Sequence, residues 1–248
     1  MIKKLSAIVI SNNEENGFYK IEIQTNEPFK SFPGQFLSVF CKGHFLGIPF
    51  AFYQVISPTK FVILIKIFGR GSEIVSKFQK NSELEVLLPL GKPSNLVKDK
   101  RVFIIGAGVG IASIYELTKS LKQHNNVTVA LGYKKPNEIA FVQDFKEITK
   151  NVEILCDETT PKATFIGNIL EFLEKNINNF DYVYFCGGKK VTELVDKLLL
   201  KYEKQGTLMF ENNMACGFGI CNGCNISTKS GERKVCEDLN FEIGEVIY

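Results

Sequence analysis

From the first residue to about residue 97 the chain alternates apolar and polar side chains in short runs. Tyr19-Lys20-Ile21-Glu22-Ile23 and Phe36-Leu37-Ser38-Val39-Phe40 are two of them, and Asn12-Asn13, Pro33-Gly34 and Ser57-Pro58 punctuate the series. A period of two puts alternate side chains on one face, so these runs predict antiparallel β-strands joined by turns. Runs at residues 61–68 and 84–88 bring the number to about six, with one helical stretch at residues 72–79 between them. A small closed barrel would remove the exposed edges that such strands leave.

The pattern changes after Gly91-Lys92-Pro93 and the charged stretch Lys98-Asp99-Lys100-Arg101. Residues 102–105, 127–131, 152–155 and 182–185 are continuous apolar runs, and residues 111–122, 141–149, 166–174 and 191–202 have helical spacing. Apolar strands alternating with amphipathic helices predict a parallel sheet covered on both faces. Residues 206–248 are rich in Gly, Asn and Cys and too poor in apolar residues to build a core, so they are expected to fold around a metal centre. The expected architecture is therefore multidomain, α/β plus β. It has an antiparallel β-barrel domain at residues 1–97, a doubly wound parallel-sheet nucleotide domain at 98–205 and a small cluster domain at 206–248.

A length of 248 residues suits two domains with a small appendage. Hydrophobic residues at 45% and charged ones at 23% exclude a disordered chain and a multispan membrane protein. The formal charge of +3 comes without a basic stripe, so neither nucleic acid nor a membrane surface is an expected partner. Only six largely apolar residues follow the two lysines at the start, too few for a secretory signal, and the expected location is the cytoplasm. There the seven cysteines stay reduced, and an odd number of them argues against a disulfide framework.

Four of those cysteines carry the strongest chemical signal. Cys216, Cys221, Cys224 and Cys236 are separated by four, two and eleven residues, the C-x4-C-x2-C…C spacing of plant-type [2Fe–2S] sites. Gly217, Gly219 and Gly223 let the backbone wrap closely, with N–H groups facing the sulfurs. The alternative is a four-cysteine zinc site, but a zinc ribbon brings two C-x2-C pairs and only one is present. A second signal is Gly106-Ala-Gly-Val-Gly110, between an apolar strand and a helix, where a dinucleotide diphosphate could meet backbone N–H groups. The spacing is G-x-G-x-G rather than G-x-G-x-x-G, so a plain tight turn competes with that reading. Cys186-Gly187-Gly188 ends another apolar strand at the same expected sheet edge. Gly69-Arg-Gly71-Ser72 opens the barrel domain's helix, either as a further diphosphate contact or as a turn capped by Ser72.

In order along the chain, these features resemble the ferredoxin reductase superfamily and, within it, the electron-transfer subunits of class 1B dihydroorotate dehydrogenase. The resemblance runs through Phe32-Pro-Gly-Gln-Phe36, Pro49, Gly69 to Ser72, Leu88-Pro-Leu-Gly91, Gly106 to Leu117, Cys156-Asp-Glu158 and Cys186-Gly-Gly188. It ends with Glu211-x-x-Met-Ala-Cys-Gly217 and Lys234-Val-Cys-Glu-Asp238.

The resemblance implies FAD in the barrel domain, at Pro49, Phe50, Ala51, Leu64, Ile65, Lys66, Gly71 and Ser72. It implies NAD on the sheet, at Gly106, Gly108, Gly110, Cys186, Gly187 and Gly188, and a [2Fe–2S] cluster on the four cysteines. It also implies an oxidoreductase that passes electrons from NADH to an FMN-containing catalytic subunit of dihydroorotate dehydrogenase in a hetero-oligomer of pyrimidine biosynthesis. One departure stands out. The family carries Arg-Pro-x-Ser where this chain has Ile48-Pro49-Phe50-Ala51, so an arginine against the diphosphate and a hydroxyl near the flavin edge are both absent. Weaker FAD binding is expected unless Lys66 or Arg70 substitutes. Two rival readings follow: a reductase subunit serving ferredoxin or another acceptor, and an iron–sulfur carrier or regulatory module that has lost flavin.

Overall fold

The computed structural model describes all 248 residues. Its first layer is a seven-stranded antiparallel sheet of β1 (Lys3–Glu15), β2 (Phe18–Thr25), β3 (Phe36–Phe40), β4 (Ile48–Ala51), β5 (Gln54–Ser57), β6 (Lys60–Lys66) and β7 (Glu83–Leu90), in the order β4-β3-β7-β1-β2-β6-β5. Glu15 pairs with Phe18 across a two-residue turn in which Asn16 and Gly17 both have positive φ, the backbone that an Asn-Gly hairpin favours. The sheet curls around a core that includes Val9, Ile21, Leu37, Ile63 and Val86. β4 packs on β6, yet β4 and β5 are the two edges of the ladder. The curled sheet is thus closed by side chains rather than by hydrogen bonds, as suits a four-residue edge strand in which Pro49 has no N–H to donate. The expected helix is α1 (Arg70–Ser76), starting two residues early and ending three residues early. Its start is set by the Ser72 hydroxyl, which accepts the N–H groups of Phe68 and Gly69.

The second layer is built on β8 (Arg101–Ala107), β9 (Asn126–Tyr133), β10 (Val152–Cys156), the two-residue β11 (Phe165–Ile166), β12 (Tyr182–Cys186) and β13 (Gln205–Met209), all paired in parallel. The helices are α2 (Ile111–Leu121), α3 (Val142–Ile148), α4 (Ile169–Lys175) and α5 (Lys189–Lys201). α4 begins three residues later than its apolar spacing suggests. The Asn168 side chain accepts the N–H groups of Leu170 and Glu171 while Glu171 reaches back to the Asn168 N–H, a reciprocal cap that fixes the first turn. Strand order is β11-β10-β9-β8-β12-β13, and chain order reverses between β8 and β12. In such sheets the crevice at that reversal, beyond the carboxyl ends of the strands, is where ligands sit.

The C-terminal residues form a hairpin of β14 (Asn225–Thr228) and β15 (Gly231–Lys234), then return as β16 (Asn240–Glu242), antiparallel to β13. β13 therefore continues past residue 205, and the parallel sheet gains an edge strand from the cysteine-bearing end of the chain. No helix is long and apolar enough to cross a membrane.

Candidate functional site

The cysteine loop runs between β13 and β14 and is fastened from both sides. Cys224 and Cys236 are buried, Cys216 is half-buried and Cys221 is exposed. Backbone N–H groups point at the sulfurs: Gly219 to Cys236 Sγ at 3.2 Å, Gly223 to Cys221 Sγ at 3.4 Å, and Cys236 to Cys224 Sγ at 3.4 Å. Gly219 has φ +87° and a Cβ there would stand 2.4 Å from Glu237 Oε1, so only glycine serves at this point. Lys234 Nζ donates to the Gly219 carbonyl from β15 and holds the loop down. Burial works against a thiolate at Cys216, but N–H groups of Phe218, Cys221 and Ile220 outweigh it and lower this thiol to about 6. Burial, and next to it the Cys224 thiol, push Cys236 up to about 12.

Cys216 lies beside Cys221 and Cys224 beside Cys236, and Cys216 is close enough to act on Cys236 as well. Four thiols in one N–H-rich loop fit a cluster of two iron atoms.

A cleft of about 320 Å³ opens between the two layers. The curled sheet contributes Ala51, Phe52, Val55 and the loop from Ser31 through Gln35 to Phe36, and α2 contributes Ser113, Glu116 and Ser120. Cys186, Met209, Phe210, Glu211 and Leu239 complete it. Gln35 is locked there: its Nε2 donates to the Gly91 carbonyl at 2.7 Å and its Oε1 accepts the Phe32 N–H at 2.9 Å. Glu116 ties the layers together, accepting the Val55 N–H at 2.9 Å and pairing with Lys119 at 3.0 Å. Glu211 is open to water but walled by protein, and burial raises its carboxyl above the usual range. Burial, and after it the Glu211 charge, raise the Cys186 thiol, against the opposing hydrogen bond of the Ser113 hydroxyl.

The nucleotide turn has two kinds of glycine. A Cβ on Gly110 would lie 2.2 Å from the Cys186 carbonyl oxygen, and one on Gly106 would lie 2.8 Å from Ile111 Cα, so both are needed for packing α2 against the sheet. Gly187 is equally confined, by Phe185 and Ala107. Gly108, at φ +57°, and Gly188 face open space, which leaves backbone free for a ligand. Asp157 follows β10, its carboxyl raised by burial and eased by Lys134.

Of the residues the sequence nominates for FAD, Ala51 alone lines the cleft, and of those for NAD, Cys186 alone. Pro49 and Phe50 are half-buried on β4, while Leu64 and Ile65 are buried in β6. Lys66 is not free to replace the missing arginine, because it pairs with Glu138 at 2.6 Å and lies over the Phe18 ring. Gly71 and Ser72 sit at the start of α1, where the His44 Nε2 would stand 3.1 Å from a Cβ on Gly71. Phe52 is stacked on Phe29 and packs edge-on against Phe61, as a core residue. Sequence reading passed over Ser113, Glu116 and Ser120, although their spacing on one face of an otherwise apolar helix was a usable signal.

Residues 211–238 match the family model described as the iron–sulfur cluster binding domain of dihydroorotate dehydrogenase B. A dihydroorotate dehydrogenase B (NAD(+)) electron transfer subunit of Caldanaerobacter subterraneus is 30% identical over 241 residues, covering 95% of this chain and 94% of that protein. The chain belongs to the family of dihydroorotate dehydrogenase B electron-transfer subunits. Another family member, from Clostridium acetobutylicum, is 28% identical over 90% of this chain and 88% of its own length. The fold is also that of a chain in the NADH-dependent reduced ferredoxin-NADP oxidoreductase structure, with TM-score 0.88 and 22% identity over 97% of this chain and 89% of that one. A Neisseria gonorrhoeae ferredoxin NADP+ reductase with bound FAD and NADP superposes with TM-score 0.69 and 15% identity, covering 80% of this chain and 91% of that chain. Membership of this family makes the chain an oxidoreductase subunit whose work is electron transfer.

Proposed function

We propose that the chain takes a hydride from NADH in the cleft and delivers single electrons through a [2Fe–2S] cluster on Cys216, Cys221, Cys224 and Cys236. The receiver is an FMN-containing dihydroorotate dehydrogenase catalytic subunit, in a cytoplasmic hetero-oligomer. The observation that carries this reading is the wall shared by cleft and cysteine loop. Phe210, Glu211 and Leu239 line the cleft, and the chain passes from them directly into Cys216 and Cys236. On the other side, Phe36 of β3 lines the cleft, while Ser38 of the same strand meets the loop at Gly217.

FAD in the cleft would supply the conversion between a two-electron hydride and the one-electron cluster. The protein's part is positional. The locked Gln35 and the apolar Ala51, Phe52 and Val55 give one wall of the cleft, and Gly108 and Gly188 leave backbone open on the nucleotide side. Glu116 clamps α2 to β5 so that the two walls keep a fixed spacing. Phe218 and Ile220 are exposed beside Cys221 and give the partner an apolar footing near the cluster.

A visible spectrum of anaerobically purified protein, taken before and after NADH and followed by acid release of flavin, tests the reading. Flavin and cluster bands that both bleach are expected. A cluster that stays oxidised after FAD and NADH are supplied would replace this reading with that of an iron–sulfur carrier. Transfer of electrons to ferredoxin, but not to the catalytic subunit, would replace the acceptor.

A further inference from the structure

α2 is buried along most of its length, with Ile111, Ala112, Ile114, Tyr115, Leu117, Thr118 and Leu121 in the interior. Four of its residues are half-buried: Ser113, Glu116 and Ser120 line the cleft, and Lys119 pairs with Glu116 beside them. Two of the three have distinct settings. Glu116 is committed to the Val55 N–H and Lys119. Ser113 sits one turn beyond Gly110, the residue packed against the Cys186 carbonyl, and its hydroxyl lies beside the Cys186 thiol. On the facing wall stands Ala51, with no polar atom in its side chain. Of the side chains named here, Ser113 brings the hydroxyl nearest the glycine turn, where its one neighbour is the weakly accepting Cys186 thiol.

We propose that the Ser113 hydroxyl is the group that orients the nicotinamide ring in this cleft, supplying from α2 the polar contact that Ala51 does not supply from the curled sheet. The chemistry suits the ligand. A nicotinamide carries a carboxamide with both donor and acceptor atoms, and a serine hydroxyl can pair with either. The nearby Cys186 thiol is held neutral by its burial and by the Glu211 carboxylate, so the thiol itself places no charge beneath a ring lying over it. Orientation of this kind acts on the rate of hydride transfer more than on affinity, because a hydrogen bond at the reacting end holds the donor carbon at attack distance.

This inference rests on the reading of the cleft as the NADH and FAD site, and the test separates the two. Ser113→Ala and Ser113→Thr are purified with FAD and compared with the unsubstituted protein in three measurements. These are flavin content, the NAD+ dissociation constant by calorimetry, and the first-order rate of flavin bleaching at saturating NADH. Ser113→Ala is expected to keep its flavin, to slow bleaching roughly three- to tenfold and to shift the NAD+ constant by less. Ser113→Thr, which retains the hydroxyl, is expected to stay close to the unsubstituted rate. A Ser113→Ala protein that bleaches at the unsubstituted rate overturns the inference, and so does one that loses FAD instead, since the contact would then be to flavin. If the unsubstituted FAD-loaded protein is itself not bleached by NADH although dithionite reduces it, the reading of the cleft falls and takes this inference with it.

Discussion

The cysteine loop and the cleft lie against each other but are built on opposite plans. The loop takes all four proposed cluster ligands from 21 consecutive residues, so they and the glycines that wrap them are neighbours in sequence. The cleft takes its lining from positions as far apart as Ser31 and Leu239 and from both layers of the fold. A locally encoded site fails or survives as a unit. A site assembled over distance depends on the packing that holds its walls together, so its sensitive positions include residues that touch no ligand.

The largest effect should come from breaking the local site. Cys236→Ser removes a buried sulfur that receives the Gly219 N–H, and a hydroxyl does not replace a thiolate as an iron ligand. The expected outcome is loss of iron and of the cluster absorption, with the cleft's affinity for NAD+ retained. Iron analysis and calorimetry on the same sample check both halves. Next in size is a change to the packing of the cleft. Gly110→Ala pushes a methyl into the Cys186 carbonyl and should cost about 1–3 kcal/mol. In a chain of this length that lowers the melting temperature by roughly 2–4 °C for each kcal/mol. Gly188→Ala faces open space at φ −59° and should leave the melting temperature nearly unchanged while weakening NAD+ binding. Equal melting losses for both variants would erase the distinction between packing and ligand-facing glycines.

The difference between the two sites also governs what the sequence could reveal. The iron–sulfur domain over residues 211–238 was legible because a cluster imposes fixed cysteine spacing on one short stretch. The parallel layer was legible because buried strands are continuous apolar runs, as β8 and β12 are. Boundaries were harder, since local caps decide them: Asn168 delays α4 and Ser72 advances α1. The cleft was hardest. Ala51 and Cys186 could be named from motifs, but Leu239 and Phe210 reach it only because β16 turns back along β13, a pairing that no period in the sequence announces. Lys66 shows the same limit, for its partner Glu138 lies 72 residues away.

An effect no larger than that of Gly110→Ala should follow from loosening the joint between the layers. Tyr53 is fully buried, its hydroxyl donates to Asp144 Oδ2 at 2.7 Å, and Lys20 pairs with the same oxygen at 2.5 Å. Burial, and then the Asp144 charge, raise the Tyr53 phenol far above its usual range, so it remains a donor across the working pH range. Asp144→Ala leaves that phenol without its acceptor and should cost about 1–3 kcal/mol. Asp144→Asn keeps an acceptor for the phenol and should cost less. A thermal melt of the two variants side by side reads the difference. If Asp144→Ala melted with the unsubstituted protein, the joint would contribute nothing to holding the cleft's walls.

The smallest expected effect concerns the charge that the curled sheet offers an FAD diphosphate. Ile48 is buried and apolar where the family carries an arginine, and Lys66 is already neutralised by Glu138. Arg70 is exposed at the first residue of α1, and the neighbouring acid, Glu73, is taken by Lys77 at 2.6 Å. Arg70 is therefore the cation left to meet a phosphate, and as an exposed side chain it acts through a screened field. Arg70→Ala should weaken FAD binding only roughly two- to fivefold. Because screening shortens at higher ionic strength, the difference between variant and unsubstituted protein should shrink as salt is raised from about 0.01 M to about 0.15 M. Lys66→Ala releases Glu138 near the same layer and supplies the control, since its effect should not track salt in the same way. FAD titrations of both variants at the two salt concentrations decide the matter. An Arg70→Ala protein that binds FAD as well as the unsubstituted chain at low salt would mean that backbone groups alone hold the diphosphate.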